Sequence, residues 1–211
     1  MVKIIKPSFE ILTPINGNEI LKLIEIAGRT CYKSNDLITE DSAKNFVEKI
    51  AKRGHESVLE HFNITVRFIC NRGFTHELVR HRLASFSQES TRYCNYTKDK
   101  FGNEITVIKP AEINEDTKEY NIWVNAMENA EKSYMEMMAN GSKPENARGV
   151  LPIDIKTEIV ITTNIREWKH ILSLRTSPAA HPSMRELMIP LAHEFQKQIP
   201  VVFDKVLEEV S

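Results

Sequence analysis

Cysteine is scarce in this 211-residue chain: Cys31, Cys70 and Cys94 lie far apart, are odd in number and form no CxxC pair. Such a set supports neither a disulfide framework nor a zinc ribbon, and it fits a reducing cytoplasm. The seven glycines form neither GxGxxG nor a P-loop, so a dinucleotide, if bound, is not held in the Rossmann manner. No apolar run approaches the ~20 residues that span a bilayer, and the opening MVKIIKPSFEIL has no signal-peptide core. Excess charge of one sign is missing too. With 28 basic and 29 acidic residues the net charge is −1, which argues against a general nucleic-acid binder resting on many phosphate contacts.

What is present is 41% hydrophobic residues, enough for the core of one domain spanning 1–211. Ile20, Leu21, Leu23, Ile24 and Ala27 predict a short helix closing at Gly28, and Thr39 to Gly54 a second that buries Phe46, Val47, Ile50 and Ala51. From Phe62 to Cys70 apolar and polar residues alternate, which predicts a half-buried strand. Asn71-Arg72-Gly73 reads as a turn, with Thr75 capping a helix that runs towards Arg82. The longest helix is expected over 113–139, ended by Asn140-Gly141. A second alternating strand covers 155–163, Asn164 with Glu167 suggests a capping box, and a last helix starts at Pro182 with Pro190 inside it. Without strict βαβ alternation, the fold class expected is α+β, an antiparallel or mixed sheet packed with helices.

The chemistry concentrates in Arg80–Arg92, RHRLASFSQESTR, where three arginines and a histidine interleave with Ser85, Ser87, Gln88, Glu89 and Ser90. A second basic group is Arg166, Lys169, His170, Arg175, His181 and Arg185. Arginine forks suit phosphate and carboxylate, so the residues point to a site for a small anionic ligand; solvated helix faces are the plainer reading. SFSQEST reads as a polar, turn-like segment. No metal set is expected: the histidines of HELVRH are five residues apart, about 140° around a helix. No GxSxG elbow surrounds the serines. Cys70 falls on the apolar side of its strand; for Cys94 the arginine-rich setting offers a thiolate reading, with an ordinary isolated cysteine the plainer one.

RHRLASFSQESTR resembles the flavin-dependent thymidylate synthase signature RHRxxSxNxxSxR, matching at Arg80, His81, Arg82, Ser85, Ser90 and Arg92 and departing at Ser87. GHESVLEH (Gly54–His61) is similar to the family's GHxSxxEH segment, PENAR (Pro144–Arg148) to its ExxR element, and NIREWKHILSLR (Asn164–Arg175) with His181 to its C-terminal site helix. The resemblance implies an enzyme that methylates dUMP to dTMP, with methylenetetrahydrofolate as carbon donor and NADPH-reduced FAD as hydride source. It also implies a cytoplasmic homotetramer whose active sites are shared between subunits.

Carried over by position, Glu77, Arg80, Gln88, Glu89, Ser90, Arg92, Arg148 and Arg175 would hold dUMP. Glu77 stands where relatives often carry glutamine. Ser57, Glu60, Arg80, His81, Arg82, Gln88, Asn164, Arg166, His170 and His181 fall at flavin-contacting positions; His170 and Cys31 depart from the common asparagine and serine. Arg175 and Ser90 take the catalytic positions. A serine among arginines, without a base in reach, stays protonated, so Ser90 is expected to act as a contact and Arg175 as a fixed cation at the uracil edge. The competing reading is a nucleotide- or RNA-phosphate-binding module that uses the same arginines.

Overall fold

Two short strands, Lys3–Ile5 (β1) and Ser8–Ile11 (β2), precede the first helix in the computed structural model, which describes residues 2–204 and Val206. The chain forms two compact units, Met1–Ser8 with Phe68–Arg80 and Phe86–Val160, and Phe9–Arg67 with His81–Ser85 and Ile161–Ser211.

Helix α1 (Gly17–Tyr32) starts where the Asn16 side chain accepts the Glu19 amide and ends at Lys33, which takes the left-handed conformation (φ 48°). Gly28 therefore does not close it. A Cβ there would stand 2.6 Å from the Phe46 ring, so this glycine marks close packing of α1 against α2 (Ser42–Lys52). Helix α2 begins at Ser42 rather than Thr39, because the Ser42 hydroxyl takes the Thr39 amide and joins Glu25 at 2.8 Å.

Strand β3 (Asn63–Asn71) follows the predicted alternation, with Ile64, Val66, Phe68 and Cys70 buried. The next segment corrects the sequence reading. The Asn71 side chain accepts the Phe74 amide at 2.8 Å, so helix α3 (Arg72–Leu78) starts at the expected turn, and Thr75 is buried inside it. Strand β4 (Ala84–Gln88) also replaces an expected turn. Ladder pairing overrides polar composition here. The Glu89 amide donates to Glu158 O at 2.8 Å, and half-buried Ala84, Phe86 and Gln88 alternate with exposed Ser85 and Ser87.

Strand β5 (Thr106–Ile108) pairs in parallel with β1, two strands too short for periodicity to reveal. The long helix α4 (Lys118–Ala139) is shorter than expected, because Thr117 caps it by accepting the Tyr120 amide. Helix α5 (Pro144–Ala147) follows, then strand β6 (Lys156–Asn164), which buries Thr157, Ile159, Ile161 and Thr163 as its alternation predicts. Asn164 accepts the Glu167 amide at 2.9 Å and opens α6 (Ile165–Thr176); α7 (Pro182–Gln198) carries Pro190 within it.

The four-stranded sheet has the order β2-β3-β6-β4. It is antiparallel. The Ile165 amide reaches Phe62 O while Thr65 bonds Thr162, and Leu12 reaches Thr65 O while Arg67 pairs with Glu10, so numbers rise on one strand as they fall on its neighbour. In the first unit, Ile105, Val107, Met127, Tyr134 and Ile155 form the core. In the second, Trp168 packs edge-on against Phe195 at 5.4 Å and donates its indole N–H to Ile64 O at 3.0 Å.

Candidate functional site

His81 is the most deeply buried of the expected site residues in the second unit. It is 5% exposed, and its Nε2 accepts the Arg175 Nε–H at 3.1 Å. An accepting Nε2 in a neutral ring leaves the proton on Nδ1, which faces the buried Glu167 carboxylate at 3.6 Å, an ion-pair distance rather than a hydrogen bond. Burial, then the Arg175 charge, then His170 lower the His81 pKa from the usual 6.5 to about 4. His81 is thus a neutral, oriented acceptor that fixes the Arg175 guanidinium. His170 meets it edge-on, ring centroids 5.8 Å apart, and Arg82 is exposed.

Beside this pair lies a cleft of about 770 Å³ lined by Glu60, Leu83, Asn164, Arg166, Glu167 and His170, among others. Four of the ten flavin positions therefore come together: Glu60, Asn164, Arg166 and His170. Ser57 lines an adjoining cleft that shares Glu56 and Arg166. His181 caps α7, its Nδ1 taking the Ser183 amide. The basic group expected around Arg166 is not a bare anion patch. Arg166 bonds Glu60 at 2.6 Å and stands 3.9 Å from Glu56, and Lys169 pairs with Glu56. The Glu60 hydrogen bond raises the Arg166 pKa further. Two of the six residues of that group are thus paired with carboxylates, which weakens the nucleic-acid reading.

Ligand atoms of His81, Glu167 and His170 lie within 4.8 Å of one another. The set suits a metal poorly, because His81 Nε2 already accepts from Arg175 and a dication would face that guanidinium.

The remaining nucleotide positions fall in the first unit. Gln88 donates to Thr75 at 3.0 Å and to Thr157 at 3.3 Å. Glu89 accepts from Lys156 at 2.9 Å and from the Tyr96 hydroxyl at 3.2 Å. Burial opposes the Lys156 charge, but hydrogen bonds to Glu158 and Glu89 outweigh it and raise its pKa. Ser90 Oγ accepts the Arg92 amide at 3.3 Å, and no imidazole or carboxylate bonds it among the described residues. Arg92 pairs with Glu145 of the PENAR segment at 3.1 Å and lies over the Tyr93 ring. Glu77 is half-buried, Arg80 is exposed, and exposed Arg148 lines a separate cleft with Arg72 and His76.

Sequence reasoning did not single out Glu56, Glu167, Lys156 or Arg72. Glu56 stands inside GHESVLEH and was open to notice. In the sequence Glu167 reads only as a helix cap and Arg72 only as a turn, since local signals do not report tertiary contacts.

The family described as thymidylate synthase complementing protein matches residues 15–201. The flavin-dependent thymidylate synthase of Pyrococcus abyssi is 37% identical over 167 residues, covering 79% of this chain and 68% of the relative. That of Corynebacterium glutamicum is 33% identical over 210 residues, covering 90% and 80%. Among solved structures, the UMP/dUMP methylase PolB from Streptomyces cacaoi, bound with 5-Br dUMP, superposes with a TM-score of 0.78 at 22% identity, covering 98% of this chain and 97% of its own.

Proposed function

The chain belongs to the flavin-dependent thymidylate synthase family, and from that premise we propose that it methylates dUMP to dTMP. The observation that carries the reading is the Arg175–His81 pair. An always-charged guanidinium, held by a neutral imidazole, suits negative charge developing on a uracil ring. Bound FAD, reduced by NADPH, supplies the hydride, and methylenetetrahydrofolate supplies the carbon.

The cleft beside Arg175 fits a flavin. Its volume of about 770 Å³ lies within the ordinary range for ligand sites. Glu60, Asn164, Arg166 and His170 offer polar contacts around apolar Leu83, and Ser57 lines the adjoining cleft. The further flavin positions assigned by family are Arg80, His81, Arg82, Gln88 and His181.

On this reading Glu77, Arg80, Gln88, Glu89, Ser90, Arg92 and Arg148 contact dUMP, with the arginines at its phosphate. Ser90 acts as a contact: among the described residues no base bonds its hydroxyl, so the residues bind and orient rather than attack. Residues 1–211 work as one catalytic domain, in a cytoplasmic homotetramer that shares its sites. The three free thiols suit a reducing compartment.

The visible spectrum tests the reading. Protein reconstituted with FAD should show flavin bands that bleach with NADPH and return when dUMP and methylenetetrahydrofolate are added, with dTMP formed. Failure to take up FAD, or bands that do not respond to both substrates, would count decisively against it.

A further inference from the structure

Asp154, just ahead of β6, receives hydrogen bonds from three directions. Its carbonyl accepts the Ile108 amide at 2.9 Å, its Oδ1 the Asn71 side-chain amide at 2.8 Å, and its Oδ2 the Trp123 indole N–H at 2.9 Å. The donors belong to β5, to the last residue of β3 and to α4, so one half-buried residue ties three elements of the first unit together. The Ile108 bond pins its main chain, and Trp123 packs against the core of this unit, so the carboxylate is a fixed anchor.

The anchor acts on Asn71, which is buried. A primary amide presents an acceptor on one side and a donor on the other, and the two exchange places when the group flips. A carboxylate only accepts, so it selects the orientation that turns Nδ2 towards Asp154. That orientation leaves Oδ1 to accept the Phe74 amide at 2.8 Å and cap α3. The flipped amide would set oxygen against oxygen at Asp154 and N–H against N–H at Phe74. A helix of seven residues does not hold its shape alone, so α3 depends on such anchors. The carbonyl of Ile153, next to Asp154, supplies another by accepting the Arg72 amide at 3.0 Å. Glu77 lies in the last turn of α3, and the Arg80 amide bonds the Glu77 carbonyl at 3.2 Å.

We infer that Asp154 is a positioning residue for the nucleotide substrate: it fixes the Asn71 amide that caps α3, and through α3 it sets Glu77 and Arg80 for dUMP. The inference rests on the dUMP reading for those two contacts, and on the Asp154–Asn71–Phe74 chain of hydrogen bonds for the positioning itself.

The test exploits the polarity of that chain. Asp154→Asn lets the amide at 71 be held in either orientation, and Asn71→Asp sets two carboxylates face to face. Together the two substitutions restore every bond: the new carboxylate at 71 accepts from Phe74 and from the new amide at 154, whose oxygen keeps the Trp123 N–H. Steady-state kinetics on the full chain with FAD compare the parent, both single variants and the double variant. Each single variant should raise the KM for dUMP about ten-fold, the scale of one charge-assisted hydrogen bond, and the double variant should return it to the parent value. Because the contacts affected bind substrate, kcat should stay within about two-fold and the KM for NADPH should not move. A residue that only supported the fold would lower kcat through loss of active enzyme and leave the KM for dUMP alone.

Single variants with the parent's KM for dUMP, or a fall in kcat without a change in KM, overturn the inference. If the single variants do not fold, the double variant decides it: a folded enzyme with the parent's KM upholds the polarity argument, and a raised KM or a failure to fold refutes it. A parent without dUMP-dependent turnover refutes the proposed function and this inference with it, whereas an active parent whose variants keep its KM refutes the inference alone.

Discussion

Acidification should destabilise this protein through His81 before its carboxylates are exhausted. Burial and the Arg175 charge hold the folded-state pKa at about 4, against 6.5 for an ordinary histidine. Above the unfolded value both states carry a neutral ring, and His81 has no effect. As the pH falls below it, the unfolded chain takes up a proton that the folded chain refuses, so stability is lost progressively until the pH passes the folded value. The separation corresponds to about 3 kcal/mol, lost between roughly pH 7 and pH 4. Carboxylates titrate over part of that window, so the measurement must be a difference. Urea unfolding of the parent and of His81→Gln, which keeps an acceptor near the Arg175 Nε–H, should be followed at fixed protein concentration across it. The two stability curves should run parallel above pH 7 and diverge below, with the parent falling faster. Parallel curves throughout, or a His81 resonance that titrates at or above its ordinary value, would refute the argument that a neutral imidazole holds Arg175.

Two further outcomes test the site and the core separately. Arg175→Ala should lower turnover about 10²–10³-fold and weaken dUMP while leaving the circular dichroism spectrum intact, since removing one preormed electrostatic contact has that scale; unchanged steady-state kinetics would remove it from the catalytic role. Trp168→Phe deletes the indole N–H bound to Ile64 O inside a fully buried cluster. It should cost about 1–3 kcal/mol in chemical denaturation, from the stranded carbonyl and the lost volume, and a smaller loss would mean the cluster relaxes.

Legibility in the sequence followed the range of the interactions involved. Strands β3 and β6 were readable because one buried face forces alternation over nine residues each. The Asn164 cap was readable because donor and acceptor lie three residues apart. The end of α1 and the start of α3 differ from the local signals for the opposite reason. Gly28 serves Phe46, and Thr75 serves a helix already started by Asn71, so each local signal had a tertiary use. Strand β4 escaped because its ladder partner is about seventy residues away in sequence, beyond any window of periodicity. At the site, residue identities were legible through the family signature, whereas the pairing of Arg166 with Glu60 and of His81 with Arg175 was not. Those pairs join residues far apart in the chain, and composition carries no record of which charges cancel.

The two asparagine joints have a consequence for how this sequence can vary. Asn71 and Asn164 each end a strand and cap the helix that follows, with no loop between. Arg72, His76 and Glu77 thereby inherit their angular phase from β3, and Arg166, His170 and Arg175 inherit theirs from β6. Adding or removing one residue in either strand would turn its buried face outward and rotate the attached helix's side chains away from their clefts. Insertions and deletions are therefore confined to segments such as 109–117 and 140–143, while the strand-to-helix joints accept change only by substitution. A deletion scan scored for folded protein should show those two joints as the least tolerant stretches of the chain.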